Sequence, residues 1–369
     1  FVGPALAPLL SSLVVIAAYL WYWLDPGQAG DIDALGSRAE AILSVGTTLG
    51  VVALSLSLLL PLHRAGVPIR PTWRFPAGVA RRAGRLAAAG VAVLVAQQAS
   101  VAVALRLAND GTSAGAVVVF TLAQTVFLLP WATIAVPLAT SAFPRLSSTA
   151  EAGDEAGFAR TTGRVSQAVL AASATAAGVL FAAATPIARV LVQGVGQARD
   201  IDALSAAVAA FAPGLIGYGL VALWSRALYA RHDARTPAYA MVTGWVAVIV
   251  ADLILTAALP VRDRIPALAA GNSIGMTVAA GLLAIGLVRR SGAAGVLGPA
   301  RLAVVAVLGA AGGATLGRIV AGTLTGGGAA VAVLQGILIG AVAAVVAAGI
   351  ILGLGGGSAQ RLLRGRANG

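Results

Sequence analysis

The chain has 369 residues, 59% of them hydrophobic and only 10% charged, where an ordinary soluble domain carries about 25% charged residues. The 25 basic residues are all arginine and face 13 acidic ones, giving a net charge of +12. There is no cysteine, which removes disulfides, thiolate metal sites and cysteine nucleophiles, and His63 and His232 are the only histidines, too few for a histidine-based metal or catalytic cluster.

At roughly 20 residues per crossing, such a chain has room for about ten membrane spans and none for a sizeable soluble domain. The expectation is an all-α polytopic membrane protein without a catalytic centre, metal or cofactor. Its arginine excess concerns the side of the bilayer, not nucleic acid. Residue 1 is Phe, and no basic region precedes the first apolar run, so the start reads as the interior of a longer protein rather than as a signal peptide.

Apolar segments cover about 3–24, 41–62, 86–107, 114–142, 165–192, 204–228, 238–259, 266–288, 300–322 and 329–354. The connectors alternate in charge. Arg64, Arg70, Arg74, Arg81, Arg82 and Arg85 crowd the second, Arg145, Arg160 and Arg164 the fourth, Arg226, Arg231 and Arg235 the sixth, Arg289, Arg290 and Arg301 the eighth, and Arg361, Arg364 and Arg366 the tail. The other side holds Arg38, Arg106, Arg189, Arg199, Arg262, Arg264 and Arg318. The positive-inside rule places the richer side, and with it both termini of the chain, in the cytoplasm.

Polar groups at bilayer depth are few, and burying them costs free energy unless they are paired or wet. Gln97 and Gln98 in the third segment and Gln124 in the fourth fall near the midplane, with Thr125 beside the last. They fit interhelical hydrogen bonding and the wall of a substrate cavity equally well. Pro130 interrupts the fourth segment and Pro213-Gly214 the sixth, where a bend or hinge is expected.

Asp252 is the one acid deep in a segment; Asn272, Ser273 and Thr277 lie at similar depth on the next. That set reads either as a proton or sodium site coupled to the membrane potential or as a neutral, hydrogen-bonded carboxyl. Arg226, Arg231 and Arg235 stand where an anionic headgroup would arrive, and equally where any inside-positive flank would be. The acids Glu151, Asp154 and Glu155 read as solvated connectors. Gly309, Gly313 and Gly317, with Gly336 and Gly340, allow either close helix packing or a shallow groove for a lipid tail.

The block from Phe120 to Ser147, with Gln124, Leu129-Pro130 and the closing AFPRLS, resembles the eighth-helix region of the MurJ/MviN lipid II flippases, a family of the multidrug/oligosaccharidyl-lipid/polysaccharide (MOP) exporter superfamily. APGLIGYGL (212–220) and RALYARHDARTP (226–237) resemble that family's tenth helix and the loop after it. The resemblance implies a two-lobe MATE-like fold of fourteen spans, of which this chain would begin at the fifth. Residues 1–62 would then be the last two helices of one lobe, 63–85 a basic connector, 86–290 the complete second lobe, and 291–369 a terminal helix pair and basic tail. Where relatives carry an Asp-Arg pair before the proline of the eighth helix, this chain has Gln124 and Thr125.

The implied activity is alternating-access translocation of lipid II, or a related polyprenyl-pyrophosphate glycan, across the bacterial inner membrane. Gln97, Gln98, Gln124 and Thr125 would line the path, and protein partners are left open. Rival expectations are another exporter of the superfamily, handling a different polyprenyl-linked oligosaccharide or a drug, an integral-membrane enzyme, and a non-transporting scaffold.

Overall fold

A computed structural model of the chain describes residues 2–24, 36–57, 59, 78–110, 115–192, 198–292, 296, 300–323 and 329–354. Among them every regular element is helical. The chain divides into two compact units, residues 1–80 and 81–369.

The first unit is a helical pair, α1 (Val2–Leu24) and α2 (Ser37–Ser57). Glycine lets them touch: a β-carbon at Gly46 would collide with the Ala18 side chain, and one at Gly50 would lie 3.3 Å from the Ser11 carbonyl oxygen. Leu13, Ile16, Leu20 and Trp21 stay exposed on α1, as side chains facing lipid or another helix must.

In the second unit follow α3 (Val79–Asn109), α4 (Ala116–Glu151), α5 (Glu155–Val192), α6 (Ala198–Phe211), α7 (Gly214–Ala230), α8 (Arg235–Ala258), α9 (Arg264–Ser291), α10 (Ala300–Thr323) and α11 (Ala329–Leu354). The long α5 is the central post and packs on α4, α6, α7, α10 and α11. It is 61% buried over its most apolar stretch, against 6% for the peripheral α3.

Helices α8 and α9 form the closest pair, because Gly244 and Gly275 bring their backbones together. The second unit is tied at the ends of α3 and α9 by Arg264, whose guanidinium donates to the Asp110 carbonyl and lies 3.6 Å from its carboxylate.

Over its described residues, every expected apolar segment falls on helix. Seven elements, α2, α3, α4, α5, α8, α9 and α11, have the length and hydropathy of a membrane span, and α6 with α7 makes an eighth with a 42° bend. α1 and α10 hold shorter apolar stretches, Leu9–Leu24 and Val307–Gly317, below the length of a full span among the described residues. The basic connector around Arg64, Arg70 and Arg74 and the tail arginines Arg361, Arg364 and Arg366 lie outside the described residues.

The glycines of the last two helices serve close packing. A β-carbon at Gly309 would sit 3.0 Å from the Ala347 carbonyl oxygen, and one at Gly313 3.3 Å from the Ala343 α-carbon. On the facing post, Gly178 admits Ala310 of α10 at 2.8 Å, and Gly340 faces Val179 at 3.3 Å.

Candidate functional site

Two interrupted helices meet in the middle of the second unit. Pro130 lacks an amide hydrogen, and the backbone after it opens into a wide π turn over Trp131–Ala135 before the α-helix resumes at Val136. Ala212-Pro213 separates α6 from α7, which starts at Gly214. The breaks are joined by aromatic side chains: Phe127 stacks on Phe211 at 5.0 Å and meets Tyr218 edge-on at 5.1 Å, while Trp131 meets Tyr218 at 5.7 Å. The Trp131 indole N–H donates to the Tyr218 carbonyl at 3.2 Å. Sequence reading found the prolines and missed this column, because contact across 87 residues leaves no periodic trace.

A break in a membrane helix frees carbonyls that something must satisfy. Here the Ser273 hydroxyl lies 2.8 Å from the Ala210 carbonyl oxygen and 3.2 Å from that of Phe211, just before the break. Gly214 and Gly217 admit α9: β-carbons there would lie 3.1 Å from the Ser273 α-carbon and 2.9 Å from the Met276 carbonyl. Both glycines therefore serve tight contact with α9.

The Asp252 carboxylate makes no hydrogen bond to Asn272, Ser273 or Thr277, the three residues grouped with it. Ser273 caps the break, and Thr277 donates to the Ser273 carbonyl at 2.8 Å. Asp252 is buried against Gly271, which lacks the β-carbon that would strike it, and neither carboxylate oxygen has a protein hydrogen-bond partner; nor has the Asn272 oxygen.

Nor are the three amides brought together by hydrogen bonds. Gln124 is half-buried on α4, which packs on α5, α6 and α7. On α3, Val93 and Ala96 pack against Trp245, Val248 and Met276, leaving Gln97 half-buried and Gln98 exposed. Around Gln124, the hydroxyls of Thr121, Thr125, Thr133 and Thr140 are exposed, each donating to the carbonyl four residues back. A hydroxyl held this way keeps its acceptor capacity while its donor is satisfied, which suits a polar wall at bilayer depth. Their β-branched, half-apolar character hid three of them from sequence reading.

At the end of α7 the chain turns through Arg231-His232-Asp233-Ala234, and nearly every polar group is engaged. Arg231 makes a bidentate pair with Glu155 of α5, both contacts 2.7 Å, over the ring of Phe158 at 5.0 Å. The Glu155 hydrogen bond holds this guanidinium above the usual arginine value. His232 takes a left-handed conformation, φ 58°.

Asp233 caps α8, accepting from the backbone N–H groups of Arg235 and Thr236 at 3.1 Å and from the Thr236 hydroxyl at 2.6 Å. It also meets Arg290 of α9 at 2.9 Å. Burial alone would raise this carboxyl; the Thr236 and Arg235 hydrogen bonds and the Arg290 charge outweigh it and hold the carboxyl below the usual range.

Of the three arginines expected at a headgroup mouth, Arg231 is thus a tether, and Arg226 donates to its own helix at Ala222. Arg235 alone keeps an exposed side chain without a salt bridge among the described residues. Glu155, read as solvent-facing, is the partner of Arg231. An Asp just ahead of a helix start was the available signal for the Asp233 cap. Among the described residues no three His, Asp or Glu side chains gather where they could share a metal ion.

A bundle of membrane-length helices, with proline breaks locked together beside polar side chains at bilayer depth, has the architecture of a membrane transporter. The family described as lipid II flippase MurJ matches residues 1–325, and the chain belongs to that family. Among solved structures, a lipid II flippase MurJ in an inward closed conformation aligns with a TM-score of 0.66 at 18% identity, covering 95% of this chain and 67% of that one. The fold is therefore shared with that structure.

Proposed function

We propose that this chain acts as an inner-membrane flippase that carries lipid II between leaflets by alternating access. The family match over residues 1–325 is the observation that carries this reading. The joined breaks of α4 and α6/α7 support it mechanically. The arginine-rich helix ends face the cytoplasm, and so do both ends of the chain. The substrate head crosses past Thr121, Gln124, Thr125 and Thr133 while its tail stays in lipid, and no covalent bond is made or broken. The protein needs no cofactor; lipid II and the surrounding membrane lipids are its partners.

Asp252 is the coupling residue in this reading. A buried carboxylate without a hydrogen-bond partner holds a proton or a sodium ion, and one charge crossing a 100 mV field is worth about 2.3 kcal/mol. Asp252→Asn is expected to abolish the dependence of transport on membrane potential or ions; an unchanged dependence would remove the assignment.

The function is tested by reconstituting the full-length protein with fluorescent lipid II and measuring leaflet exchange, in competition with other lipid-linked sugars and drugs. Exchange that ignores lipid II but follows another glycan would replace this reading with another exporter of the superfamily. Complementation of a flippase-depleted strain is the cellular counterpart, and failure of the full-length protein there would count against it.

A further inference from the structure

Arg231 and Arg226 are engaged, Gln124 and Thr125 carry no charge, and Arg235 is the one mouth arginine left without a salt bridge among the described residues, too few cations to hold a pyrophosphate there. A groove of about 440 Å³ runs between the C-terminal half of α4 and the N-terminal half of α5. Three arginines line it: Arg145 from α4 and, one helical turn apart on a single face of α5, Arg160 and Arg164. All three are exposed, and none makes a salt bridge among the described residues. Asp154 is the one acid in the lining, and its Oδ1 accepts the Gly157 N–H at 2.8 Å, so it is turned to the start of α5.

Three guanidinium charges against one carboxylate leave the groove at net +2, matching the two negative charges of a pyrophosphate diester. Thr161, between the arginines, has a half-buried hydroxyl with no hydrogen-bond partner among the described residues, a free donor for a phosphate oxygen. The other end of the groove is apolar, lined by Leu138 and Ala168, where the first units of a polyprenyl chain fit.

We propose that the α4–α5 groove is the docking site for the pyrophosphate of the lipid-linked substrate, with Arg145, Arg160 and Arg164 as its cationic contacts and Thr161 as a neutral donor. The proposal rests on the flippase reading and adds where the head is first held. Arginine suits the task because its fork pairs with two phosphate oxygens at once. The docked head lies beside α4, whose exposed threonines begin deeper along the same helix.

The test uses the purified protein in nanodiscs of zwitterionic lipid, with lipid II, a bare polyprenyl pyrophosphate and phosphatidylglycerol as separate probes, followed by native mass spectrometry. The combined Arg145→Gln, Arg160→Gln and Arg164→Gln variant is expected to bind both pyrophosphate lipids at least about tenfold more weakly, with phosphatidylglycerol unaffected. Arg289→Gln, an equally basic flank outside the groove, should bind as wild type. An unchanged thermal midpoint verifies folding, and the triple Lys variant, which keeps charge and loses the fork, should recover part of the binding.

Wild-type affinity for lipid II in the triple Gln variant overturns the proposal, and so does loss confined to phosphatidylglycerol, which would make the groove a bilayer headgroup site. Arginine-dependent binding of the polyprenyl pyrophosphate without any binding of lipid II keeps the groove and removes the lipid II reading. Binding of neither by the wild type removes both.

Discussion

Two arginine-rich corners stand at the same end of the second unit and look alike in sequence. At the turn between α7 and α8, Arg231 pairs with Glu155 of α5 and Asp233 with Arg290 of α9. In the α4–α5 groove, Arg145, Arg160 and Arg164 have no such partners, and the one nearby acid is spent on capping its own helix. The comparison teaches that charge density does not separate a tether from a ligand site. What separates them is whether each cation already has its anion.

The contrast breaks most visibly at Asp233. Asp233→Ala removes the α8 cap and strands Arg290, and is expected to cost about 1–2 kcal/mol in thermal or denaturant unfolding. Because the folded carboxyl sits below its ordinary range, its contribution is fully present above that range and is lost as pH falls through the depressed value. The wild type should therefore lose more stability on acidification than Asp233→Asn, and parallel acid curves would contradict the tether.

Next in size is His232→Gly. Glycine enters the left-handed region freely, so replacing a histidine at φ 58° should raise stability by up to about 1 kcal/mol, the gain being limited by glycine's extra unfolded freedom. A loss would mean that the imidazole has a role the backbone does not reveal.

The Glu155–Arg231 pair should show a small favourable coupling in a double-mutant cycle, shrinking as salt is added because Glu155 is well exposed. No coupling would leave Phe158 as the main support of Arg231. The smallest effect belongs to the other corner: Arg145→Gln, Arg160→Gln and Arg164→Gln should each shift stability by less than about 0.5 kcal/mol. A larger loss would show that these side chains are tethers too.

Most of the helical framework was legible, since hydrophobic runs and arginine alternation are properties of consecutive residues. The glycines of α10 and α11 were legible as packing surfaces for the same reason, and Pro130 and Pro213 marked the breaks. What escaped was pairing at a distance. Ser273 belonged by depth with Asp252, yet its hydroxyl is drawn to the carbonyls of Ala210 and Phe211, which the helix break leaves in need of a donor. Glu155 sits in a polar stretch and was indistinguishable from its acidic neighbours until α7 placed Arg231 over Phe158. Gln97 and Gln124 share a depth but not a hydrogen bond, since depth along a helix says nothing about azimuth.

The aromatic column between the two breaks has a mechanical consequence. Phe127 stands before Pro130 and Trp131 in the π turn after it, and Phe211 and Tyr218 lie on either side of Pro213, each ring in contact with another of the four. Changing the angle at either kink must slide at least one ring against another, so the kinks are geared together and contribute one degree of freedom where two prolines would otherwise supply two.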